Sequence, residues 1–67
     1  MKNKLVEFRK IQNLSQEELA IRLKVSRQTI ISIEKNRYSP SLKLAFKIAN
    51  ELDRSIEEIF LFDREDN

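Results

Sequence analysis

One short segment, RQTIISIEK, begins at Arg27 and consists largely of residue types that can bind nucleic acid. On a helix, Gln28, Ser32 and Lys35 share one face, within about 60° of one another, because successive residues are about 100° apart. Arg27 and Thr29 flank that face. Glutamine can bond adenine through two atoms, arginine can bond guanine likewise, and a hydroxyl can bond a base or a phosphate. The face therefore predicts non-covalent recognition of double-stranded DNA.

The charges around this segment favour a polyanionic partner. The face itself contains no carboxylate, whereas a helix face that only contacts water usually mixes both signs of charge. Residues 22–47 carry seven basic residues and one acid, a net charge of +6. Residues 48–67 carry two basic residues and seven acids, a net charge of −5. DNA is therefore expected to contact the middle of the chain and to avoid its end.

Several residues near this face are weaker candidates. Arg37, Tyr38 and Lys43 follow the segment and could hold further phosphates, although solvation at the surface also explains them. Ile31 faces outward and could contact a thymine methyl group, although single exposed isoleucines are common. Of these residues, we assign Arg37 to the DNA-binding set.

Two short helices must hold this face, and each begins with a serine cap. Ser15 is followed three residues later by Glu18, which is the pattern of a capping box, and Ser26 directly precedes the segment described above. Apolar and small residues follow the spacing of a helix-turn-helix: Leu19, Ala20, Leu23, Val25, Ile30 and Ile33. A helix-turn-helix places its second helix in the DNA major groove. An ordinary helical hairpin is the alternative.

The whole chain predicts an all-α fold. Five helices are expected: about 2–12, from Ser15, from Ser26, about 41–52 after the break at Pro40, and from Ser55. The chain contains no glycine, although helix ends commonly need a residue with positive φ. We therefore expect Lys24, Asn36 and Asp53 to adopt that conformation, with strain on the order of 1 kcal/mol at Lys24.

Composition limits the function. The 67 residues suit one small domain, and the apolar fraction of 40% suffices for a core. Histidine and cysteine are absent and there is no glycine-rich phosphate loop, so no enzyme, metal site or cofactor is expected. No apolar run approaches 18 residues and the start lacks a signal-peptide core, which predicts a cytoplasmic protein without membrane contact.

A dense apolar group near the end of the chain predicts a homodimer. Ile59, Phe60 and Phe62 are assigned to its interface, with Ile56 and Leu61 beside them. One helix in the major groove contacts only a few base pairs, whereas two such helices about 34 Å apart contact two half-sites. The alternative is that these residues only close the core of the monomer.

Four motifs resemble one family of regulators. They are LSQEELA at 14–20, VSRQTI at 25–30, IEKN at 33–36 and YSPSL at 38–42. Together they are similar to the Cro/CI-type (XRE-like) helix-turn-helix regulators, and among these to the small stand-alone members. The resemblance implies a five-helix, lambda-repressor-like DNA-binding domain at 4–60, with its motif at 16–35. The short acidic tail at 61–67 is a candidate dimer contact.

The resemblance also implies roles for single residues. It implies that Gln16 contacts phosphate, and that the first residues of the third helix, with Ser32, lie at the groove. It implies that an arginine of the first helix pairs with a glutamate at the end of the third, here Arg9 and Glu34. The residues that we assign to DNA are Gln16, Ser26, Arg27, Gln28, Thr29, Ser32, Lys35 and Arg37.

The expected function is sequence-specific DNA binding that regulates transcription, most simply repression by a dimer bound at an operator. One alternative is an antitoxin that represses its own operon and also binds a toxin protein. An alternative of another class is a protein-interaction module whose basic face binds an acidic partner. Operator binding differs from the last alternative in its steep salt dependence and its saturation on one sequence.

Overall fold

Five short helices account for most of the described chain. The computed structural model describes residues 2–61. Their elements are β1 (Lys2–Asn3), α1 (Leu5–Ile11), α2 (Gln16–Leu23), α3 (Arg27–Glu34), α4 (Leu42–Leu52), α5 (Ile56–Ile59) and β2 (Phe60–Leu61). The prediction of a five-helix, all-α fold is confirmed, with a two-stranded ribbon added to it. None of the described helices is long and apolar enough to span a membrane.

Serine hydroxyls begin four of the described helices. The three predicted caps, Ser15, Ser26 and Ser55, each accept a hydrogen bond from the backbone N–H three residues later. Ser41 caps α4 in the same way, although the sequence pattern does not single it out. At α2 the cap is reciprocal, because the Ser15 N–H donates to Glu18 Oε1 at 2.9 Å. That bond, with a smaller contribution from the Ser15 hydroxyl, lowers the pKa of the Glu18 carboxyl group.

Residues other than glycine take positive φ in the turns between the described helices. Lys24 (φ 59°), Asn36 (φ 60°) and Asp53 (φ 54°) do so as predicted, and Asn13 (φ 58°) is a further case. Asparagine and aspartate tolerate this conformation, whereas it costs a lysine roughly 1–2 kcal/mol. Backbone strain therefore concentrates at Lys24, in the turn between α2 and α3.

The first residues of the described chain form a strand and do not begin a helix. The prediction of a helix over about 2–12 is wrong at its start. Asn3 Oδ1 accepts a hydrogen bond from the Leu5 N–H at 3.0 Å, and such side-chain bonds to the backbone compete with helical structure. β1 instead pairs antiparallel with β2, with Lys2 opposite Leu61. The ribbon thus joins the two ends of the described chain.

Aliphatic side chains from all five described helices meet in one core. Those without measurable exposure are Leu5, Leu19, Ile30, Ile33, Ile48, Leu52 and Ile59. α3 packs against α2, and α4 packs against both α2 and α5. This packing covers one side of α3 and leaves its opposite side at the surface.

α4 is less covered than its apolar sequence predicts. The apolar residues of segment 41–52, Leu42 and Phe46 among them, are predicted from the sequence to face mostly inward, but 70% of Leu42 and 53% of Phe46 are exposed. The buried side of the helix is centred on Ile48, and these two residues lie beyond its edge. The outer side of α4 therefore carries an apolar strip, which we define as Leu42 and Phe46.

Ile59 and Phe60 lie in the core of the monomer. Ile59 is fully buried and Phe60 is only 7% exposed. Their assignment to a dimer interface is therefore corrected, because a side chain that is already covered within one chain offers no surface to a second. Both residues close the monomer core, as the alternative interpretation expects. Phe62 and the acidic residues of the tail lie outside the described residues.

Candidate nucleic-acid interface

α3 presents its polar face to solvent. Two fully buried side chains, Ile30 and Ile33, fix the rotation of the helix about its axis. The predicted DNA-binding residues of α3 and its C-cap are exposed or half-buried: Arg27, Gln28, Thr29, Ser32 and Lys35. The structure therefore brings these five side chains to one side of the protein.

The first turn of α3 lacks a carboxylate. Ser26 Oγ accepts a hydrogen bond from the Thr29 N–H at 3.1 Å and lies 2.9 Å from Thr29 Oγ1. At the corresponding place in α2 stands Glu18, with Glu17 beside it. The free N–H groups at a helix start carry partial positive charge. An external anion is therefore expected to bind more favourably at the start of α3 than at the start of α2.

A shallow cleft of about 340 Å³ joins the start of α2 to the start of α3. Its lining residues are Arg9, Ser15, Gln16, Glu17 and Arg27. Arg27 is exposed and Gln16 is half-buried. Two residues that the sequence predicts on separate helices, Gln16 and Arg27, thus share one cleft with N–H donors suited to a phosphate.

A second shallow cleft, of about 250 Å³, lies on the other side of α3. Its lining residues are Ser26, Gln28, Thr29, Ser32 and Tyr38. We call it the Tyr38 cleft. None of these residues is charged, whereas the cleft toward α2 contains arginine and glutamate. The two sides of α3 therefore offer different chemistry to a ligand.

Two exposed cations lie at the far end of the polar face. Lys35 is the C-cap of α3, and Arg37 lies in the following loop. The Arg37 N–H donates to the Ser32 carbonyl at 2.9 Å, which holds this loop against the end of α3. Phosphates on either side of a groove are the natural partners of such cations.

A nearly buried ion pair ties α1 to the end of α3. Arg9 Nε donates to Glu34 Oε2 at 2.8 Å, and the two side chains are only 10% and 6% exposed. Arg9 Nη1 also donates to the Leu14 carbonyl at 2.8 Å. The guanidinium group thus connects three segments, and both charges are compensated.

Gln16 also binds the same carboxylate. Its Nε2 donates to Glu34 Oε1 at 2.9 Å, which the sequence pattern did not predict. The amide group carries a second N–H, so this bond does not use its full donor capacity. Gln16 therefore positions the end of α3 and still lines the cleft with Arg27.

Asn3 ties the ribbon to the end of α3. Its Nδ2 donates to the Ile33 carbonyl at 2.9 Å and to Asn36 Oδ1 at 3.1 Å. Sequence reasoning missed this residue, because no local pattern connects an asparagine in β1 with a helix end thirty residues away. Asn3, Arg9 and Gln16 thus restrain one end of α3 from three sides.

The remaining charges in the described chain form no comparable site. Arg22 Nη1 lies 3.3 Å from Glu51 Oε1, in a pair whose side chains are 54% and 32% exposed. Among residues 2–61, no group of three or more His, Cys, Asp or Glu side chains could hold a metal ion. The polar face of α3 with its two flanking clefts is the candidate site.

Comparison with known proteins shows the family to which this chain belongs. A family model described as helix-turn-helix matches residues 5–59. An uncharacterised HTH-type transcriptional regulator of Methanocaldococcus jannaschii is 60% identical over 63 residues, which are 94% of this chain and 96% of the relative. One from Archaeoglobus fulgidus is 52% identical over 66 residues, 98% of this chain and 93% of the relative.

Solved structures share the fold. The restriction-modification controller protein C.AhdI from Aeromonas hydrophila superposes with a TM-score of 0.76 at 34% identity, covering 84% of this chain and 85% of its own. A hypothetical transcription factor from Neisseria superposes with a TM-score of 0.75 at 28% identity. The match covers 81% of this chain and 61% of that protein. The chain therefore belongs to the Cro/CI-type (XRE-like) helix-turn-helix family of DNA-binding transcriptional regulators.

Proposed function

We propose that this family member binds one operator sequence through α3 and represses transcription there. The observation that carries the proposal is the carboxylate-free polar face of α3, held outward by buried Ile30 and Ile33. The second helix of a helix-turn-helix enters the major groove with such a face. At an operator that overlaps a promoter, bound protein excludes polymerase. The proposed DNA-binding unit spans residues 4–60.

In this proposal the middle of the α3 face contacts base edges. Gln28 bonds an adenine through its amide, and Ser32 bonds a base beside it. Arg27 lies at the edge of the face, where it bonds a guanine or a phosphate. Ser26 and Thr29, at the capped start of α3, bring backbone N–H groups toward the DNA.

The ends of the face hold the DNA backbone. Gln16 donates its second amide N–H to a phosphate while the first binds Glu34. Lys35 and Arg37 bind further phosphates, beyond the C-terminal end of α3. Contacts of this kind position the helix and supply affinity that salt weakens, without reading sequence.

The proposed active form is a symmetric dimer. Because Ile59 and Phe60 are buried, the contact is assigned to the apolar strip of Leu42 and Phe46, whose members are one turn apart on α4. A two-fold axis that crosses α4 between these two residues places Leu42 of one protomer opposite Phe46 of its partner, so the strip is complementary to a second copy of itself.

Selection of bound sequences from a random DNA pool tests operator binding. The expected result is one pseudo-palindromic sequence whose half-sites are about 10 base pairs apart, one helical turn. Binding to that sequence is then measured over a range of salt concentrations. A module for acidic proteins would instead bind all DNA weakly and alike, which would contradict the proposal. Transcription from a template with the operator at its promoter tests repression.

One arginine variant and one lysine variant test where the DNA lies on the protein. Arg37→Ala should weaken binding to all sequences alike and reduce the salt slope by about 1. Lys47→Ala is the matched control, because Lys47 is an exposed cation that lines a different cleft, with Leu23 and Asn50. Equal losses of affinity in both variants would contradict the assigned orientation of the DNA.

Sedimentation of the Phe46→Asp variant, with and without operator DNA, tests the dimer contact.

A further inference from the structure

The Tyr38 cleft has a composition that distinguishes it from the rest of the DNA-facing surface. Its lining contains two serines, one threonine, one glutamine and one tyrosine, and no charge. Tyr38 as a whole residue is 47% exposed, so about half of its surface is already covered by the protein. The turn at Asn36 (φ 60°) reverses the chain after α3 and returns Tyr38 to the side of the helix.

The chemistry of the cleft selects among the groups that DNA presents. A phosphate prefers a cation, and Lys35 and Arg37 offer one nearby while the cleft does not. The 5-methyl group of thymine is the apolar group that base pairs expose in the major groove. An aromatic ring and a threonine methyl group can contact it, and Gln28 at the rim can bond the neighbouring base edge.

We propose that Tyr38 is a specificity-determining residue whose ring holds the 5-methyl group of one thymine in each half-site. This inference rests on the proposed operator binding by α3. Tyr38 lies in the loop that follows α3, and it contacts the thymine from there, next to Gln28 and Ser32. The operator is accordingly expected to contain a thymine beside the base pair that Gln28 contacts.

Deoxyuridine substitution tests this contact directly. In operator DNA each thymine is replaced in turn by deoxyuridine, which removes only the 5-methyl group. Wild-type protein should lose about fourfold in affinity at one position of each half-site, the effect of one buried methyl group. Tyr38→Phe keeps the ring and should show the same fourfold loss. Tyr38→Ala should bind thymine and deoxyuridine DNA equally at that position.

The controls separate this role from two others. Ile11→Ala removes another exposed apolar side chain, 61% exposed at the end of α1, and should keep the wild-type response to deoxyuridine. Thermal unfolding checks that each variant is folded, and Tyr38→Gln replaces Tyr38→Ala if the latter is not. If Tyr38→Phe loses affinity for all DNA as Tyr38→Ala does, the hydroxyl binds phosphate and the inference is overturned.

Two further outcomes also overturn it. One is a Tyr38→Ala variant as sensitive to deoxyuridine as the wild type. The other is a wild-type protein that is insensitive at every thymine of its operator. Both leave operator binding intact. A wild-type protein that selects no sequence at all removes the proposed function and this inference together, so the two failures are distinguishable.

Discussion

The two ends of α3 are held in opposite ways. Its N-terminal end is tied by its own cap, in which the hydroxyls of Ser26 and Thr29 bond each other, and Ser26 accepts from the backbone. Its C-terminal end is tied through Glu34 to α1 and α2, and through Asn3 to β1. The first end, which we call the open end, is exposed and free of carboxylates, whereas the second, which we call the closed end, contains one carboxylate that is nearly buried.

In the proposed complex, this difference shows where a helix that contacts DNA can carry a carboxylate that only stabilises the fold. Glu34 at the closed end is compensated by Arg9 and is nearly buried, so in the proposed complex its carboxylate does not contact DNA. The same group at the open end would repel phosphates and occupy the helix N–H groups that an anion needs. The open end is therefore capped with neutral hydroxyls, and stability is supplied from the other end.

The largest expected effect is at the closed end. Arg9→Ala should lower the free energy of unfolding by about 3–5 kcal/mol, because it leaves a nearly buried Glu34 without its cation. Urea unfolding followed by circular dichroism measures the loss. Arg22→Ala is the matched control: its partner Glu51 is in an exposed pair, so the loss should be about 0–1 kcal/mol.

A double-mutant cycle sharpens the same point. The coupling between Arg9 and Glu34 is the part of the loss that belongs to their contact. A coupling energy below about 0.5 kcal/mol would mean that the pair behaves like a surface pair. In that case the ion pair would not be the contact that holds the closed end.

A substitution at the open end should change the affinity for the operator more than the free energy of unfolding. Gln28→Ala should weaken operator binding by about 1–3 kcal/mol and relax the preference at one base pair. Its free energy of unfolding should change by less than about 0.5 kcal/mol, because the side chain is exposed. Gln12→Ala, an exposed glutamine at the end of α1, is the control. An unchanged operator preference would show that α3 is wrongly placed.

The strained turn before the open end allows a gain in stability. Lys24→Gly should raise the free energy of unfolding by about 1 kcal/mol, because glycine accepts φ of 59° without strain. Asn36→Gly, at the same backbone conformation beyond the closed end, should give no gain, since Asn36 Oδ1 also accepts from Asn3. Thermal unfolding of both variants measures the contrast, and destabilisation by Lys24→Gly would contradict it.

The smallest effect tests why the open end lacks an acid. Thr29→Glu would complete a capping box with Ser26 and should raise the free energy of unfolding by about 0.3–1 kcal/mol. It should also weaken operator binding, most strongly at low salt, where phosphate repulsion is least screened. Thr29→Gln supplies the neutral cap as control. Equal operator affinity for the two variants would show that charge at this end does not matter.

Much of the helical structure could be predicted because its signals are local. Ser15, Ser26 and Ser55 begin helices in the sequence as they do in the structure, and Lys24 takes the conformation that the missing glycine predicts. The outward face of α3 followed from the spacing of its two buried isoleucines. A cap or a helix face depends on residues only a few positions apart.

The rest depends on contacts between distant segments. A two-residue strand such as β1 has no periodicity to detect, so its pairing with β2 was missed. Phe46 is exposed although it is predicted to face inward, and Phe60 is buried although it is predicted to lie at a dimer interface. Apolar character alone does not tell which neighbour covers a side chain. The position of Tyr38 beside Ser32 depends on how the loop returns after Asn36, which the motif alone does not specify.

The ribbon has a consequence for the order in which the chain folds. Nearly the whole described sequence separates β1 from β2, so closing that loop has the largest entropic cost, whereas α2 and α3 meet across one turn. The ribbon is therefore expected to form last, and hydrogen exchange at the Lys4 amide, which bonds the Ile59 carbonyl, can follow it. Asn3 belongs to that ribbon, so its hydrogen bonds to the end of α3 are expected to form only when β1 pairs with β2.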